Sequence, residues 1–159
     1  MNWFGDIETI SYLYAAKRIV KFKTIDDVKE FLAEENDEIF WEIYDKNTNK
    51  FIGYTSLCSF KGKEQCEFNI FILDKSYWGK GVGKETTQIM LDYAFYKLQI
   101  KRIVLETSEL NKDALKLYEK MGFRISQVIA NDRISFHHGK WLKNSSVMMY
   151  LENPAKNIS

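Results

Sequence analysis

The segment Tyr77-Trp78-Gly79-Lys80-Gly81-Val82-Gly83-Lys84 alternates three glycines with other residues, carries two lysines, and leads straight into a helical apolar pattern. Such a turn leaves backbone N–H groups unpaired and aims the positive end of a helix dipole into one loop, an arrangement that binds phosphate. A flexible strand-to-helix turn would use the same glycines. Two familiar phosphate loops do not fit. A P-loop needs Ser or Thr after Gly-Lys, and Gly83-Lys84 is followed by Glu85. A dinucleotide fingerprint needs Gly at position 84 and an early parallel βαβ unit, where this chain has Lys84 and short-linked strands. His137-His138 lacks further ligands at metal spacing, so a surface loop is expected there and no metal site. Cys58 and Cys66 are too few for a disulfide framework, which points to a reducing compartment.

The elements that must hold the loop can be read from periodicity. Thr24, with Asp27 three residues on and then Val28, Phe31 and Leu32, predicts a capping-box helix. Ile7, Ile10, Tyr14 and Ile19 suggest a helical segment before it. Alternation predicts strands over 38–44, 51–60 and 65–73, with connections short enough to force an antiparallel meander. Val82, Thr86, Ile89, Met90, Tyr93, Ala94 and Leu98 predict the inner face of a long helix ending near Gln99, before a buried strand over 100–107. Asn111 is the expected N-cap of a short helix through Ala114, Leu115, Tyr118 and Met121, stopped by Gly122. Strands over 123–128 and 146–151 close the chain. The order predicts an α/β (α+β) fold with a mixed, mostly antiparallel central sheet flanked by helices.

Composition narrows the function. The 159 residues, 45% apolar and 15% aromatic, fit one domain over 1–159 with one core. With 23 Lys+Arg against 22 Asp+Glu the net charge is +1, which argues against a nucleic-acid partner. Asp6, Glu8, Lys17 and Arg18 interrupt the first 20 residues, and no apolar run approaches the ~20 residues of a membrane span. A cytoplasmic protein without a membrane partner is expected. Between Asp26 and Glu38, seven acids face only Lys29. That stretch is either a solvated helix face or a field that steers a polycation such as a polyamine.

The glycine loop is followed 28 residues after Gly83 by Asn111-Lys112-Asp113-Ala114-Leu115-Lys116-Leu117-Tyr118-Glu119-Lys120-Met121-Gly122-Phe123. Together, in this order and among these strands, the two segments resemble the acetyl-CoA loop and the N-x-x-A-x-x-x-Y-E-K-x-G-F helix of the GNAT N-acetyltransferase superfamily. The resemblance covers about residues 20 to 152. Trp78-Gly79-Lys80-Gly81 is most similar to the branch of ribosomal-protein N-terminal and spermidine acetyltransferases, and Glu67-Phe68-Asn69-Ile70 to the polyamine enzymes. Two departures stand out. The family loop usually opens with Arg or Gln, here Trp78. Relatives usually begin with an extra strand before the segment resembling Trp3-Phe4-Gly5-Asp6, so the expectation is a truncated start or a sheet one strand short.

The resemblance implies acetyl-CoA as co-substrate, lying where the strand ending at Leu73 splays from the strand starting at Ile100. Its pantetheine would pair with backbone at Phe71, Ile72 and Leu73, and its pyrophosphate would rest on the amides of Trp78, Gly79, Lys80, Gly81, Val82, Gly83 and Lys84. Asn111 would contact the cofactor arm. A primary amine, of a small polyamine-like molecule or a protein N-terminus, would attack the thioester directly, with a backbone N–H near Ile72 steadying the oxyanion. Tyr118 is the implied acid for the departing thiolate, although Leu115, Tyr118 and Met121 at helical spacing also suit a core. Glu67 alternates with Asn69 and Phe71 and is the candidate base or a solvated strand residue; Glu106, Asp132, His137 and His138 are lesser candidates. A non-catalytic acyl-CoA-binding module is the alternative reading. Exposed strand edges and many aromatics also fit a homodimer.

Overall fold

The computed structural model describes residues 38–156. The two helical segments expected before residue 38, the acidic stretch up to Asp37 and the segment resembling the family's start lie outside the described residues. The chain divides into two compact units, one containing residues 38–105 and 151–156 of the described span, the other residues 106–150. Among the described residues no helix is long and apolar enough to cross a membrane.

In the first unit, β1 (Ile39–Tyr44), β2 (Phe51–Lys61) and β3 (Gln65–Ile72) form the expected antiparallel meander, with Trp41 opposite Thr55 and Thr55 opposite Ile70. Asp45 starts the first turn, its Oδ1 accepting from the N–H groups of Asn47 and Thr48, both at 2.8 Å. β4 (Arg102–Ser108) begins beside β3 and runs parallel to it, pairing Arg102–Val104 with Gln65–Glu67. Between the pairs Cys58–Glu67 and Lys61–Gln65, β2 carries one residue more than β3. At this bulge Ser59 has φ 51, a left-handed backbone that costs a residue with a Cβ about 1–2 kcal/mol.

The helix α1 (Val82–Asp92) differs from its sequence reading in two ways. Its buried stripe is Thr87, Met90, Leu91, Ala94 and Phe95, at i, i+3, i+4, i+7 and i+8, whereas Ile89 is exposed. The helix also stops being α-helical at Asp92 and finishes as a π turn over Tyr93–Lys97, closed by the Leu98 N–H to Tyr93 carbonyl bond at 3.0 Å. Tyr93 packs edge-on against Trp41 at 5.2 Å, which places α1 on the Trp41 face of the meander. Buried Asn153 completes this end, its amide donating to the Phe95 and Ile100 carbonyls at 3.3 and 3.0 Å.

In the second unit, α2 (Lys112–Lys120) is capped as read: the Asn111 side chain accepts from the Ala114 N–H at 3.3 Å. Its C-terminus is a Schellman motif, with Phe123 N–H bonded to the Tyr118 carbonyl, Gly122 N–H to the Glu119 carbonyl, and Gly122 at φ 94. The closing strands are far longer than expected. β5 (Arg124–His137) and β6 (Lys140–Glu152) form an antiparallel hairpin, and the strand order here is β4-β6-β5. Of His137-His138, expected in a surface loop, His137 ends β5 and His138 forms the two-residue turn of that hairpin with Gly139, at φ values of 48 and 80. Polar side chains share its interior with Val147 and Met149. Asn144 accepts from Ser108 Oγ at 2.6 Å and donates to Ser135 Oγ at 3.1 Å, and Ser146 Oγ donates to Glu106 at 2.9 Å.

Gly53 on β2 is confined by a close backbone approach: a Cβ there would lie 2.1 Å from the Phe71 carbonyl oxygen. Gly53→Ala is therefore expected to push β2 from β3 and to lower stability by about 1–3 kcal/mol, read from denaturant unfolding of variant and parent.

Candidate functional site

The end of β3 and the start of α1 bring a row of backbone groups into one place within the first unit. The β3–β4 register ends at Glu67 opposite Val104 among the described residues, although β3 runs on to Ile72. β2 continues to cover the other edge. Strand alternation turns the amides of Leu73 and Phe71 toward β2, as the Leu73 N–H to Ile52 carbonyl bond at 2.9 Å shows, and turns those of Ile72 and Ile70 the opposite way. The Ile72 carbonyl accepts the Trp78 indole N–H at 2.8 Å, so the Ile72–Leu73 peptide is held from both sides. Trp78, which stands where the family usually has Arg or Gln, thus anchors the strand end.

The loop after β3 is built on Asp74. Its carboxylate accepts from the Ser76 N–H at 2.9 Å and pairs with Lys50 Nζ at 2.5 Å. The Lys50 ammonium, helped by the Ser76 bonds and against desolvation, holds the buried Asp74 carboxyl down to about 2. A short 3₁₀ turn over Lys75–Tyr77 follows, then Gly79 at φ 71 and Gly81 at φ 87, conformations that only glycine adopts without strain. Gly81 is the N-cap of α1 and brings no side-chain cap. The first intrahelical bond is the Glu85 N–H to the Gly81 carbonyl at 2.9 Å, so helix geometry leaves the Val82, Gly83 and Lys84 amides pointing off the N-terminus. Thr87 Oγ1 fixes this turn by donating to the Gly83 carbonyl at 2.7 Å. Lys80 lies 5.9 Å from the Tyr77 ring centroid. Three backbone donors at a helix N-terminus, with lysines beside them, suit a diphosphate.

Glu67 shares a sheet face with Asn69 and Phe71, and with Cys58, Ser56 and Tyr54 opposite them on β2. That face lies away from Trp41 and α1. Ser59 Oγ donates to Glu67 Oε2 at 3.3 Å, and Asn69 donates its amide to the Cys58 sulfur at 3.3 Å. Burial, then the neighbouring Cys58 and Glu67, pushes the Cys66 thiol up to about 12, which leaves it no thiolate character at neutral pH.

Asn111 and Tyr118 belong to the second unit. Tyr118 is buried, with its ring 5.7 Å from that of Phe123, and burial raises its phenol above the usual range. The lesser base candidates have structural partners there. Glu106 takes the Ser146 hydroxyl and lies 3.5 Å from Arg133. The Asp132 carboxyl is held below its ordinary value because hydrogen bonds from Ser146 and the charge of Arg133 outweigh desolvation. The His137 and His138 rings lie 4.1 Å apart, and no group of three or more His, Cys, Asp or Glu side chains gathers as a metal site among the described residues. Sequence reading missed Lys50, Asp74 and Ser59. The Asp74-Lys75-Ser76 spacing of an Asx turn was the available signal for one of them.

The chain belongs to the acetyltransferase (GNAT) domain family, whose model matches residues 2–124. Acetyltransferases of this family use acetyl-CoA as co-substrate. The chain is 31% identical over 120 residues to a probable N-acetyltransferase, YjcK, of Bacillus subtilis, covering 75% of this chain and 65% of that protein. It is 36% identical over 56 residues to a probable spermine N(1)-acetyltransferase of Bacillus subtilis subsp. natto, covering 35% of this chain and 37% of the relative. The chain thus spans less than two-thirds of the length of either. In fold it is similar to the spermidine N-acetyltransferase of Vibrio cholerae crystallised with CoA and spermine, at a TM-score of 0.76 and 22% identity, covering 95% of this chain and 86% of that one.

The Asp74–Lys50 pair makes stability depend on acid. Because the folded-state carboxyl titrates at about 2, below its ordinary 3.8, its contribution is complete above pH 4 and is lost as pH falls toward 2. With Lys50 partly solvated, that contribution is about 1–2 kcal/mol. Chemical denaturation between pH 5 and 2 is expected to show Asp74→Asn less stable than the parent at pH 5 and the gap closing below pH 3.

Proposed function

We propose that this chain is an N-acetyltransferase that moves the acetyl group of acetyl-CoA onto a primary amine of a polyamine such as spermidine. The observation that carries the reading is that the Ile70 and Ile72 amides at the end of β3 turn away from β2, followed along the chain by the open Val82–Lys84 amides of α1. An amide-bearing pantetheine arm satisfies strand groups as an added strand would, and here Ile70 and Ile72 present them rather than Phe71 and Leu73. The pyrophosphate then rests on the loop and helix amides from Trp78 to Lys84, beside Lys80 and Lys84. The polyamine class is supported by the acidic stretch of residues 26–38 and by the spermine and spermidine enzymes among the similar proteins. Both cysteines are free thiols, which suits a single domain working in the cytoplasm.

The reaction assigns roles to two side chains. The Glu67 carboxylate takes a proton from the acceptor ammonium, directly or through a water, which leaves a neutral amine. The amine nitrogen attacks the thioester carbonyl, whose oxygen gains the charge and meets a backbone N–H near Ile72. Collapse breaks the carbon–sulfur bond, Tyr118 protonates the departing thiolate, its phenolate takes the extra proton of the new amide nitrogen, and Glu67 returns its proton to solvent. A buried phenol keeps its own proton at neutral pH while the thiol it restores has a pKa of ~8.5, so transfer is uphill and depends on positioning. Asn111, as N-cap, holds the start of the helix that carries Tyr118.

Two measurements test this reading. Mixing the chain with acetyl-CoA and spermidine is expected to release free thiol in step with acetylated product; coenzyme binding without thiol release would leave a non-catalytic acyl-CoA module. Tyr118→Phe is expected to keep Tm and to lower kcat about 100-fold or more, and an unchanged kcat removes Tyr118 from the mechanism.

A further inference from the structure

We infer that Ser59 is a positioning residue for Glu67, and that the bulge in β2 exists to deliver its hydroxyl. The inference rests on the reading of Glu67 as the base. In an uninterrupted strand, side chains alternate between faces, so Ser59 would point away from the face that Cys58 shares with Glu67. The extra residue on β2 breaks that alternation: Cys58 and Lys61, three positions apart, lie opposite Glu67 and Gln65, two positions apart. Ser59 takes the left-handed backbone at the break, and its Oγ comes to 3.3 Å from Glu67 Oε2. Glycine is the residue this backbone favours, and glycine would leave Glu67 without that donor.

Asn49, Gln99, Asn131 and His138 also take a positive φ; at Ser59 that conformation places a hydroxyl on the candidate base. The Ser59 hydroxyl, which has the Cys58 sulfur at 3.7 Å as a second acceptor, donates to one carboxylate oxygen of Glu67 at 3.3 Å and so fixes the plane of the carboxyl group. Stability alone argues for glycine at this position.

The experiment compares the parent, Ser59→Gly, Ser59→Ala and Glu67→Gln in steady state with acetyl-CoA and spermidine, together with Tm. Ser59→Gly is expected to hold or raise Tm while lowering kcat about three- to ten-fold, with KM for acetyl-CoA unchanged. Ser59→Ala, which keeps the strain and loses the hydroxyl, should show the same kcat loss with no gain in Tm. If Glu67→Gln loses turnover while both Ser59 variants match the parent, Ser59 has no positioning role and the base reading stands. If Glu67→Gln turns over like the parent, or the parent does not acetylate spermidine, the reading beneath the inference fails and the inference falls with it. A kcat loss in Ser59→Gly matched by a fall in Tm also overturns it, because a structural role would then suffice.

Discussion

The parallel ladder between β3 and β4 lasts three residues, and the rest of the site depends on its ending there. Backbone groups removed from water need partners, so a strand that walks away from its neighbour must be held by everything else it touches. β3 is held on its far edge by β2, where Gly53 lets the two backbones close to a distance no side chain would permit. At its tip the peptide between Ile72 and Leu73 is gripped by Ile52 on one side and by the Trp78 indole on the other. The last peptide of β3 is therefore fixed from both sides. The loop beyond continues the same economy of means: Asp74 fixes its entry through Lys50 and Ser76, and two left-handed glycines turn it into a helix whose first donors face outward.

How legible this was in the letters depended on whether a feature is local. The meander was readable because β1, β2 and β3 alternate aromatic and β-branched residues and are joined by a few turn residues. The helix α2 was readable because Asn111 and Gly122 punctuate it. The long hairpin was not, because buried Ser135, Asn144 and Ser146 share its interior with Val147 and Met149, and because shifts between Ile125 and Gln127 and between Ile129 and Arg133 spoil its period. The inner face of α1 was set one position off by reading Ile89 as core, since an exposed isoleucine and a buried threonine invert the usual weights. Of the site, the glycine loop declared itself by residue type. Lys50 with Asp74 did not, since 24 positions separate them, and Ser59 did not, since ordinary alternation sends it to the wrong face.

Carboxylates serve two purposes in this molecule. Asp74, Glu106, Glu109 and Asp132 act as struts, each accepting backbone or hydroxyl hydrogens that would otherwise be stranded: Glu109 takes the Ser145 N–H and Asp132 the Ser146 N–H, both at 2.8 Å. Asp74 and Asp132 titrate low as a result, which suits a permanent acceptor and ill suits a group that must pick up a proton. Glu67, half-buried on its strand face, accepts the Ser59 hydroxyl at its Oε2.

The turn that ends α2 has a consequence for the phenol it carries. Phe123 donates the hydrogen bond that reverses the chain and also lays its ring against Tyr118, so backbone geometry and aromatic packing hold that ring together. The rotational freedom of that ring is surrendered once, when the chain folds, and not again at each encounter with another molecule. A ring fixed in this way is ordered by folding itself and needs no ligand to order it.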